Sequence, residues 1–308
     1  MTGTRAAPAP PAVPGGKPSV AILVVDGFRR RGRWGRENRE QALKYPWIEL
    51  CLRQVARHTQ GWDYRVFVYD NTHLASHRAA MARYPLVQVL PAAPVAVLGR
   101  TLERAPAGQQ LARPLERSHP GALDWLARRV AGSFDYIVTL DNDSFPVRAD
   151  WLEVLVGGCE AGASLAGVYR DEMAPEIDPF IHVSGLCVRA RELLELGASF
   201  GRDASPEQEH NQDVGQRITY ELTRRGRPLA PLRRSNALNY HFLLGGVYGD
   251  VIYHHGAGSR KGKFWTSTDR DGDERVNAAL RAAAFDDLDR LLAVLRGQAD
   301  NHLEIEPL

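Results

Sequence analysis

Two aspartates at the end of an apolar segment are the residues whose type and spacing best suit chemistry. Residues 136–140 are rich in β-branched and aromatic side chains, as expected for a strand covered on both faces of an α/β sheet. Asp141 and Asp143 follow two positions apart, so both carboxylates point the same way on an extended backbone. Carboxylate oxygens bind hard divalent cations. The pattern predicts a metal site at the carboxyl end of this strand, and the alternative is a simple polar turn.

A pair of histidines offers further metal ligands. His254 and His255 end a run, residues 249–255, that we predict to be the last strand. Neutral imidazoles can join carboxylates around a transition metal or a Mn²⁺-like ion. Adjacent residues on a strand point to opposite faces, so we expect one of the two histidines to reach the ion, and the sequence does not choose between them. The alternative is an ordinary surface turn.

Four other polar residues are candidates for binding or catalysis. Asp70 follows a predicted strand, and a helix cap is its alternative role. Asp213 lies in the first turn of a helix predicted over residues 214–225, a position that the helix macrodipole favours for any acidic residue. Arg29, in an arginine-rich loop, and Arg260 could hold phosphate, although such arginines are more often solvated.

Strands and helices alternate along the chain. Apolar runs predict strands over residues 20–25, 64–69, 86–90, 136–140, 165–169 and 180–188. Apolar positions at helical spacing predict helices over residues 46–58, 118–130, 151–156, 191–196, 214–225 and 274–296. Right-handed crossovers place the first strands parallel in one sheet. We therefore expect an α/β fold with a mixed, mainly parallel sheet flanked by helices, and a C-terminal helix.

Length and composition limit the class of protein. A chain of 308 residues with 44% hydrophobic content can bury a sizeable core, in one large domain or in two. The net charge of +2 argues against a nucleic-acid-binding protein held by bulk charge. The cysteines have no metal-ligand spacing, so we expect reduced core residues. Reduced cysteines lead us to expect a cytoplasmic protein. No apolar run approaches the roughly 18 residues of a membrane span, and the N-terminus lacks the hydrophobic region of a signal peptide.

Several short motifs, taken in order, resemble those of the GT-A glycosyltransferases, with the closest likeness to the inverting family 2 type. The motifs are Asp70 at a strand end, the Asp-Asn-Asp at residues 141–143, the segments 185–189 and 212–217, and the strand end at His254 and His255. Two features depart from the family pattern. The usual acidic pair at the acceptor site is here Gln212-Asp213, and the first strand ends in Asp26-Gly27 in place of an asparagine turn.

The resemblance implies an enzyme that moves a sugar from a nucleotide-diphosphate donor to an acceptor hydroxyl, with inversion and with Mn²⁺ or Mg²⁺ as cofactor. It also implies a role for each candidate residue. Asp143 would bind the metal directly, and Asp141 would contact the donor ribose or a metal-bound water. One of His254 and His255 would complete the metal shell. Asp70 would bind the donor nucleoside, Asp213 would act as the general base, and Arg29 and Arg260 would hold the diphosphate.

Composition, helical periodicity and the same resemblance together divide the chain. Residues 1–18 are expected to form a disordered tail, residues 19–273 a GT-A (Rossmann-like) catalytic domain, and residues 274–308 a C-terminal amphipathic helix and tail. Within the catalytic domain, residues 19–145 would bind the nucleotide sugar and residues 146–273 the acceptor. The C-terminal helix would pack on the sheet or on a second subunit, giving a homo-oligomer. High usage of alanine, arginine and glycine suggests a bacterial source.

Two functions of other classes compete with this interpretation. A metal-dependent phosphoesterase could use the same aspartates and histidines to activate water. It would hydrolyse its substrate without an acceptor, and it would need more ligands than the sequence lets us place. A non-catalytic nucleotide- or sugar-binding module would bind its ligand without turnover, and Asp213→Asn would change no activity.

Overall fold

The structure is a computed structural model that describes residues 16–27, 35–91, 118–172, 178–197, 199–201, 213–256 and 270–308. Arg29, Arg260 and residues 1–15 of the predicted tail lie outside the described residues, so the predictions made for them stay predictions. The remaining candidate residues all lie within the described part of the chain.

A seven-stranded sheet forms the centre of the molecule, in the strand order β3-β2-β1-β4-β7-β6-β8. Neighbouring strands are parallel, except that β7 runs antiparallel to both β4 and β6. A separate three-stranded sheet has the order β5-β10-β9. The strands are β1 (Val20–Asp26), β2 (Tyr64–Asp70), β3 (Val87–Pro91), β4 (Tyr136–Asp141), β5 (Ser144–Pro146), β6 (Leu165–Arg170), β7 (Phe180–Arg189), β8 (Leu229–Leu232), β9 (Gly246–Tyr248) and β10 (Ile252–His254).

Helices cover both faces of the large sheet. They are α1 (Gly35–Lys44), α2 (Trp47–His58), α3 (Ala75–Met81), α4 (His119–Val130), α5 (Trp151–Glu160), α6 (Ala190–Leu196), α7 (Gln216–Arg224), α8 (Arg270–Asp286) and α9 (Leu288–Leu295). The expected α/β class, with a mixed and mainly parallel sheet between helices, is confirmed. Within the described ranges, none of these helices has both the length and the apolar character needed to cross a bilayer.

Alternate residues of the central strands feed two separate apolar cores. On β1, Ile22 packs into the core that contains residues of α2, α5, α8 and α9, whereas Leu23 packs into the core formed with α4, α6 and α7. This is the pattern of a strand buried on both faces, as the continuous apolar run predicted. Cys51, Cys159 and Cys187 are buried and free, as expected of reduced core cysteines.

The sequence prediction of one strand over residues 249–255 is wrong. Gly249 and Asp250 both adopt left-handed backbone angles, with φ of 55° and 59°. Two consecutive residues with positive φ form a hairpin turn and cannot continue a strand. The turn joins β9 to β10, which pair antiparallel in the small sheet. His254 is consequently the last residue of β10, and its Cα is paired with that of Ser144 on β5.

The helix that follows Asp213 begins later than the sequence predicts. It starts at Gln216, because Gly215 before it has a φ of 91° that helical backbone does not allow. Asp213 therefore precedes the helix and does not lie in its first turn. Its position owes less to the helix macrodipole than the sequence suggested.

The C-terminal amphipathic segment forms two helices where one was predicted. Asp287 separates α8 from α9 and caps α9, because its Oδ1 accepts a hydrogen bond of 3.0 Å from the N–H of Arg290. Leu280, Leu291 and Leu295 are buried in the core of the same chain. The apolar face that was a candidate for a second subunit is thus covered within the chain.

Candidate active site

The candidate residues gather where the strand order reverses. From β1 the chain passes to β2 and β3 on one side of the sheet, and from β3 it returns to β4 on the other side of β1. In open α/β sheets the crevice at the carboxyl ends of such strands is where ligands bind. Asp26 ends β1 and Asp141 ends β4. The β5–β10 pair brings Asp143 and His254 to the same crevice.

One carboxylate and two imidazoles form a possible metal site. Asp141, His182 and His254 each offer one ligand atom, and these atoms lie within 4.8 Å of one another. Nε2 of His254 is 3.5 Å from Oδ2 of Asp141 and 3.8 Å from Oδ1 of Asp143. Ligand atoms about 2 Å from one ion lie roughly 3 to 3.5 Å apart, so small movements would let these residues share a cation. The donor set fits a divalent transition metal or Mn²⁺.

The two adjacent histidines have different environments. His255 is fully buried, and its Nε2–H donates to Oδ1 of Asn277 at 2.8 Å while its Nδ1 accepts from the hydroxyl of Tyr253 at 3.1 Å. Its ring packs on Trp47, with 4.5 Å between centroids. Burial lowers the pKa of His255 to about 3, which keeps the ring neutral. The structure therefore assigns His255 to the core, contrary to its candidacy as a metal ligand, and leaves His254 facing the carboxylates.

His254 is also held in its neutral form. Burial, followed by the nearby positive charge of Arg170, lowers the pKa of His254 well below its ordinary value. The Arg170 guanidinium donates to Nδ1 of His254 at 3.3 Å, and its Nε lies 2.8 Å from Oε1 of Glu172. Neutral imidazole is the form that binds metals.

The Asp-Asn-Asp triplet is a turn that also presents carboxylates. Oγ of Ser144 accepts a hydrogen bond of 2.9 Å from the N–H of Asp141, which closes the turn. The side-chain amide of Asn142 donates to Oδ1 of Asp26 at 3.1 Å and so ties the turn to the end of β1. The turn that the sequence offered as an alternative is present, and it directs Asp141 and Asp143 towards His254.

A buried ion pair supports Asp26 from the other side. Nδ1 of His77 lies 2.8 Å from Oδ2 of Asp26, and Nε2 lies 3.1 Å from the carbonyl oxygen of Ala42. Both nitrogens face acceptors, so both must carry protons. Burial acts to lower the pKa of His77, but the hydrogen bond and charge of Asp26 outweigh it and raise the pKa. A charged His77 therefore anchors the carboxylate that holds the triplet.

Asp213 reaches the cluster from the loop before α7. Its Oδ2 is 3.7 Å from Nε2 of His182, and its Oδ1 accepts from the N–H of Val214 at 2.8 Å. About a third of its side chain, 31%, is exposed. The carboxylate is thus accessible on one side and close to the possible metal site on the other.

Asp70 is occupied by local contacts. Its Oδ1 accepts hydrogen bonds from Thr72 and from the N–H of His73, and its Oδ2 accepts one of 2.6 Å from Nε of Arg78. Burial acts to raise the pKa of Asp70, but these hydrogen bonds outweigh it and lower the pKa. The fully buried carboxylate stabilises the turn before α3 but does not cap that helix, whose N-cap residue is Leu74. The predicted contact of Asp70 with a donor nucleoside stays a prediction.

Sequence reasoning missed two histidines beside Asp141. Nε2 of His119, the first residue of α4, lies 3.2 Å from Oδ1 of Asp141, and Nδ1 of His182 lies 3.8 Å from Oδ2. A signal existed for His182, since it interrupts the apolar run of β7. No comparable signal marked His119, because a histidine beside a serine cap is common at a helix start.

Comparisons with known proteins give partial structural likeness. No protein-family model matches the chain, and no curated protein matches it. A mannosyltransferase, PcManGT from Pyrobaculum calidifontis in complex with GDP-Man and Mn²⁺, matches with a TM-score of 0.39 and 16% identity over 71% of this chain. This chain spans 55% of the length of that protein.

A second solved structure is similar to a comparable extent. It is 4-diphosphocytidyl-2C-methyl-D-erythritol synthase from Anaerococcus prevotii, with a TM-score of 0.42 and 8% identity over 70% of this chain and 89% of that one. Both identities are too low to transfer an activity from one chain to the other.

Proposed function

We propose that this chain is a metal-dependent glycosyltransferase of the GT-A type, which moves a sugar from a nucleotide-diphosphate donor to an acceptor hydroxyl. One observation carries the proposal. A cluster suited to a divalent cation, formed by Asp141 and His254 with Asp143 beside them, lies next to a second and partly exposed carboxylate, Asp213. Such a pairing would supply a cation for the leaving diphosphate and a carboxylate to deprotonate the acceptor hydroxyl.

Asp141, Asp143 and His254 are proposed to hold the cation. A bound divalent metal neutralises the negative charge that develops on the leaving diphosphate. Because an imidazole belongs to the set, Mn²⁺ fits better than Mg²⁺, which prefers oxygen ligands alone. For Nε2 of His254 to bind a cation, the ring proton must sit on Nδ1. Arg170 must then release that nitrogen and keep its contact with Glu172.

Asp213 is proposed as the general base. As the acceptor oxygen forms its bond to the anomeric carbon, the hydroxyl proton passes to the Asp213 carboxylate, and the bond from the anomeric carbon to the diphosphate oxygen breaks. A single base on the acceptor side suits direct displacement, which inverts the configuration. Exposure of the Asp213 side chain leaves room for an acceptor to approach.

Turnover of nucleotide sugars tests this proposal. The protein is incubated with Mn²⁺, a panel of UDP-, GDP- and dTDP-sugars and a mixed set of hydroxyl acceptors, and release of nucleoside diphosphate is measured. We expect release with one donor class, its loss in Asp213→Asn with donor binding retained, and a product anomer opposite to that of the donor. Full activity of Asp213→Asn would overturn the assignment of the base, and a retained anomer would overturn inversion.

A metal-dependent phosphoesterase is the second candidate, and one observation favours it. His119, His182 and His254 place three imidazoles around Asp141, more ligands than the sequence alone revealed. Such a centre could activate water. The same incubation separates the two functions: a phosphoesterase cleaves the diphosphate to nucleoside monophosphate and sugar phosphate without any acceptor. Donor binding without either product would instead indicate a binding module.

A further inference from the structure

We propose that His182 is a positioning residue for Asp213 and not a ligand of the cation. This inference rests on the proposed function, because it assigns the part that His182 plays beside the proposed base. His182 lies between two carboxylates, with Nδ1 3.8 Å from Oδ2 of Asp141 and Nε2 3.7 Å from Oδ2 of Asp213. Its role depends on which ring nitrogen carries the proton and on the hydrogen bond that each nitrogen makes.

The backbone of β7 fixes the tautomer of His182. The N–H of Ser184 lies 3.1 Å from Nδ1 and can only donate, so Nδ1 must be the unprotonated nitrogen of a neutral ring. The hydroxyl of Ser184 also lies 2.9 Å from Nδ1. The lone pair of Nδ1 is therefore already used within the strand. Binding a cation through Nδ1 would cost the hydrogen bond to the N–H of Ser184, a buried backbone group.

The proton of the neutral ring then lies on Nε2, directed at Asp213. The separation of 3.7 Å is a few tenths of an ångström beyond a direct hydrogen bond. Asp213 can close this gap, since 31% of its side chain is exposed, whereas only 8% of the His182 side chain is. The donor is thus fixed and the carboxylate is the adjustable partner.

Packing holds the ring of His182 rigidly. Its ring lies 5.3 Å from that of His254 with 22° between the planes, and 5.8 Å from that of Phe180 at 61°. Oδ1 of Asp213 accepts a hydrogen bond from the N–H of Val214, and Oδ2 is the oxygen that lies 3.7 Å from Nε2 of His182. A base must be held within hydrogen-bond reach of the hydroxyl it deprotonates, and this contact sets the direction of its carboxylate.

Three variants distinguish positioning from metal binding. His182→Gln places an amide N–H near the former Nε2, His182→Asn places one near the former Nδ1 only, and His182→Ala removes both. Binding of Mn²⁺ with a nucleoside diphosphate is measured by calorimetry, and kcat and the acceptor KM are measured with the donor that supports turnover. Thermal unfolding verifies that each variant is folded.

The expected pattern is a loss of kcat without a loss of metal. His182→Ala and His182→Asn should bind Mn²⁺ and nucleotide within about twofold of the wild type while kcat falls about 10- to 100-fold, the usual effect of removing a supporting contact. His182→Gln should recover most of kcat. A tenfold or greater loss of Mn²⁺ affinity in His182→Ala would show a ligand and overturn the inference, as would an unchanged kcat.

The tautomer is tested without turnover, by long-range ¹H–¹⁵N NMR spectra of the histidine rings. We expect His182 to carry its proton on Nε2, and its Nδ1 resonance to stay unshifted when diamagnetic Zn²⁺, which binds imidazole nitrogen, and a nucleoside diphosphate are added. A proton on Nδ1, or a large shift of Nδ1 with metal, contradicts the inference. A wild-type protein that turns over no nucleotide sugar contradicts the proposed function instead, and the spectrum still reports on His182.

Discussion

His255 makes the folding stability of this protein depend on acid. In the folded state, burial lowers the pKa of His255 from the ordinary 6.5 to about 3. A histidine with a lowered folded pKa contributes its full stability above pH 6.5 and loses it as the pH falls towards 3. At pH 5, about 1.5 units below the ordinary pKa, protonation of His255 in the unfolded state lowers the free energy of unfolding by ~2 kcal/mol relative to neutral pH.

The comparison of wild type with His255→Gln isolates this contribution. Glutamine can still donate to Asn277 but does not bind a proton, and it leaves the hydroxyl of Tyr253 without its acceptor. We expect the variant to be less stable by about 1–3 kcal/mol at pH 7.5, because a buried hydroxyl loses its partner. At pH 5 this difference should shrink by ~2 kcal/mol, because only the wild type takes up a proton at this position on unfolding, which stabilises its unfolded state.

Urea unfolding at pH 7.5 and at pH 5 measures both differences, with equal m-values as the condition for comparing them. His302→Gln, which changes an exposed histidine, serves as the matched control and should follow the wild type at both pH values. A difference between wild type and His255→Gln that is the same at the two pH values would refute the placement of His255 in the core. It would also remove the reason for choosing His254 as the histidine of the site.

Three further predictions follow from contacts around the site. His77 has a raised pKa, so the stabilisation from its pairing with Asp26 is complete below pH 6.5 and is lost as the pH rises through the raised value. NMR titration should show a lower pKa of His77 in Asp26→Asn than in the wild type. An unchanged pKa would contradict the pairing. Asn142→Ala keeps every proposed ligand but removes the hydrogen bond from residue 142 to Asp26 at the end of β1. Calorimetry should then show Mn²⁺ affinity reduced about 10-fold. An affinity equal to that of the wild type would show that this hydrogen bond does not position the ligands. Gly185→Ala would put a methyl group 2.6 Å from Cδ1 of Ile252 and should lower the free energy of unfolding in urea by about 1–3 kcal/mol. The control Gly157→Ala, at a helical position with no atom within 4 Å, should not destabilise the protein. Equal effects of the two substitutions would contradict the packing around Gly185.

The local elements were predictable because their signals are local. The apolar run of β1, the spacing of α2 and the Ser118 cap of α4, whose Oγ accepts the N–H of Gly121, are all properties of neighbouring residues. The hairpin before His254 was not predictable from periodicity, because left-handed angles at Gly249 and Asp250 interrupt a run that reads as one strand.

His182 lies in the site because β7 runs antiparallel to its neighbour β4. β7 runs antiparallel to β4, with Thr139 opposite Leu186, so the start of β7 lies beside the carboxyl end of β4. Crossovers that keep strands parallel would have placed His182 at the opposite end of the sheet. The residue was visible as a polar interruption, but its meeting with Asp141 depended on a long-range pairing that sequence pattern does not encode.

We propose that Asp141 belongs to a cation site that binds a nucleoside diphosphate. The most direct test is calorimetric titration of UDP and GDP into the protein, with Mn²⁺ or with chelator, for the wild type, Asp141→Asn and Asp213→Asn. We predict binding of one nucleotide that requires Mn²⁺, disappears in Asp141→Asn and persists in Asp213→Asn. Nucleotide binding that survives both chelator and Asp141→Asn, or no binding of either nucleotide by the wild type, would contradict the claim.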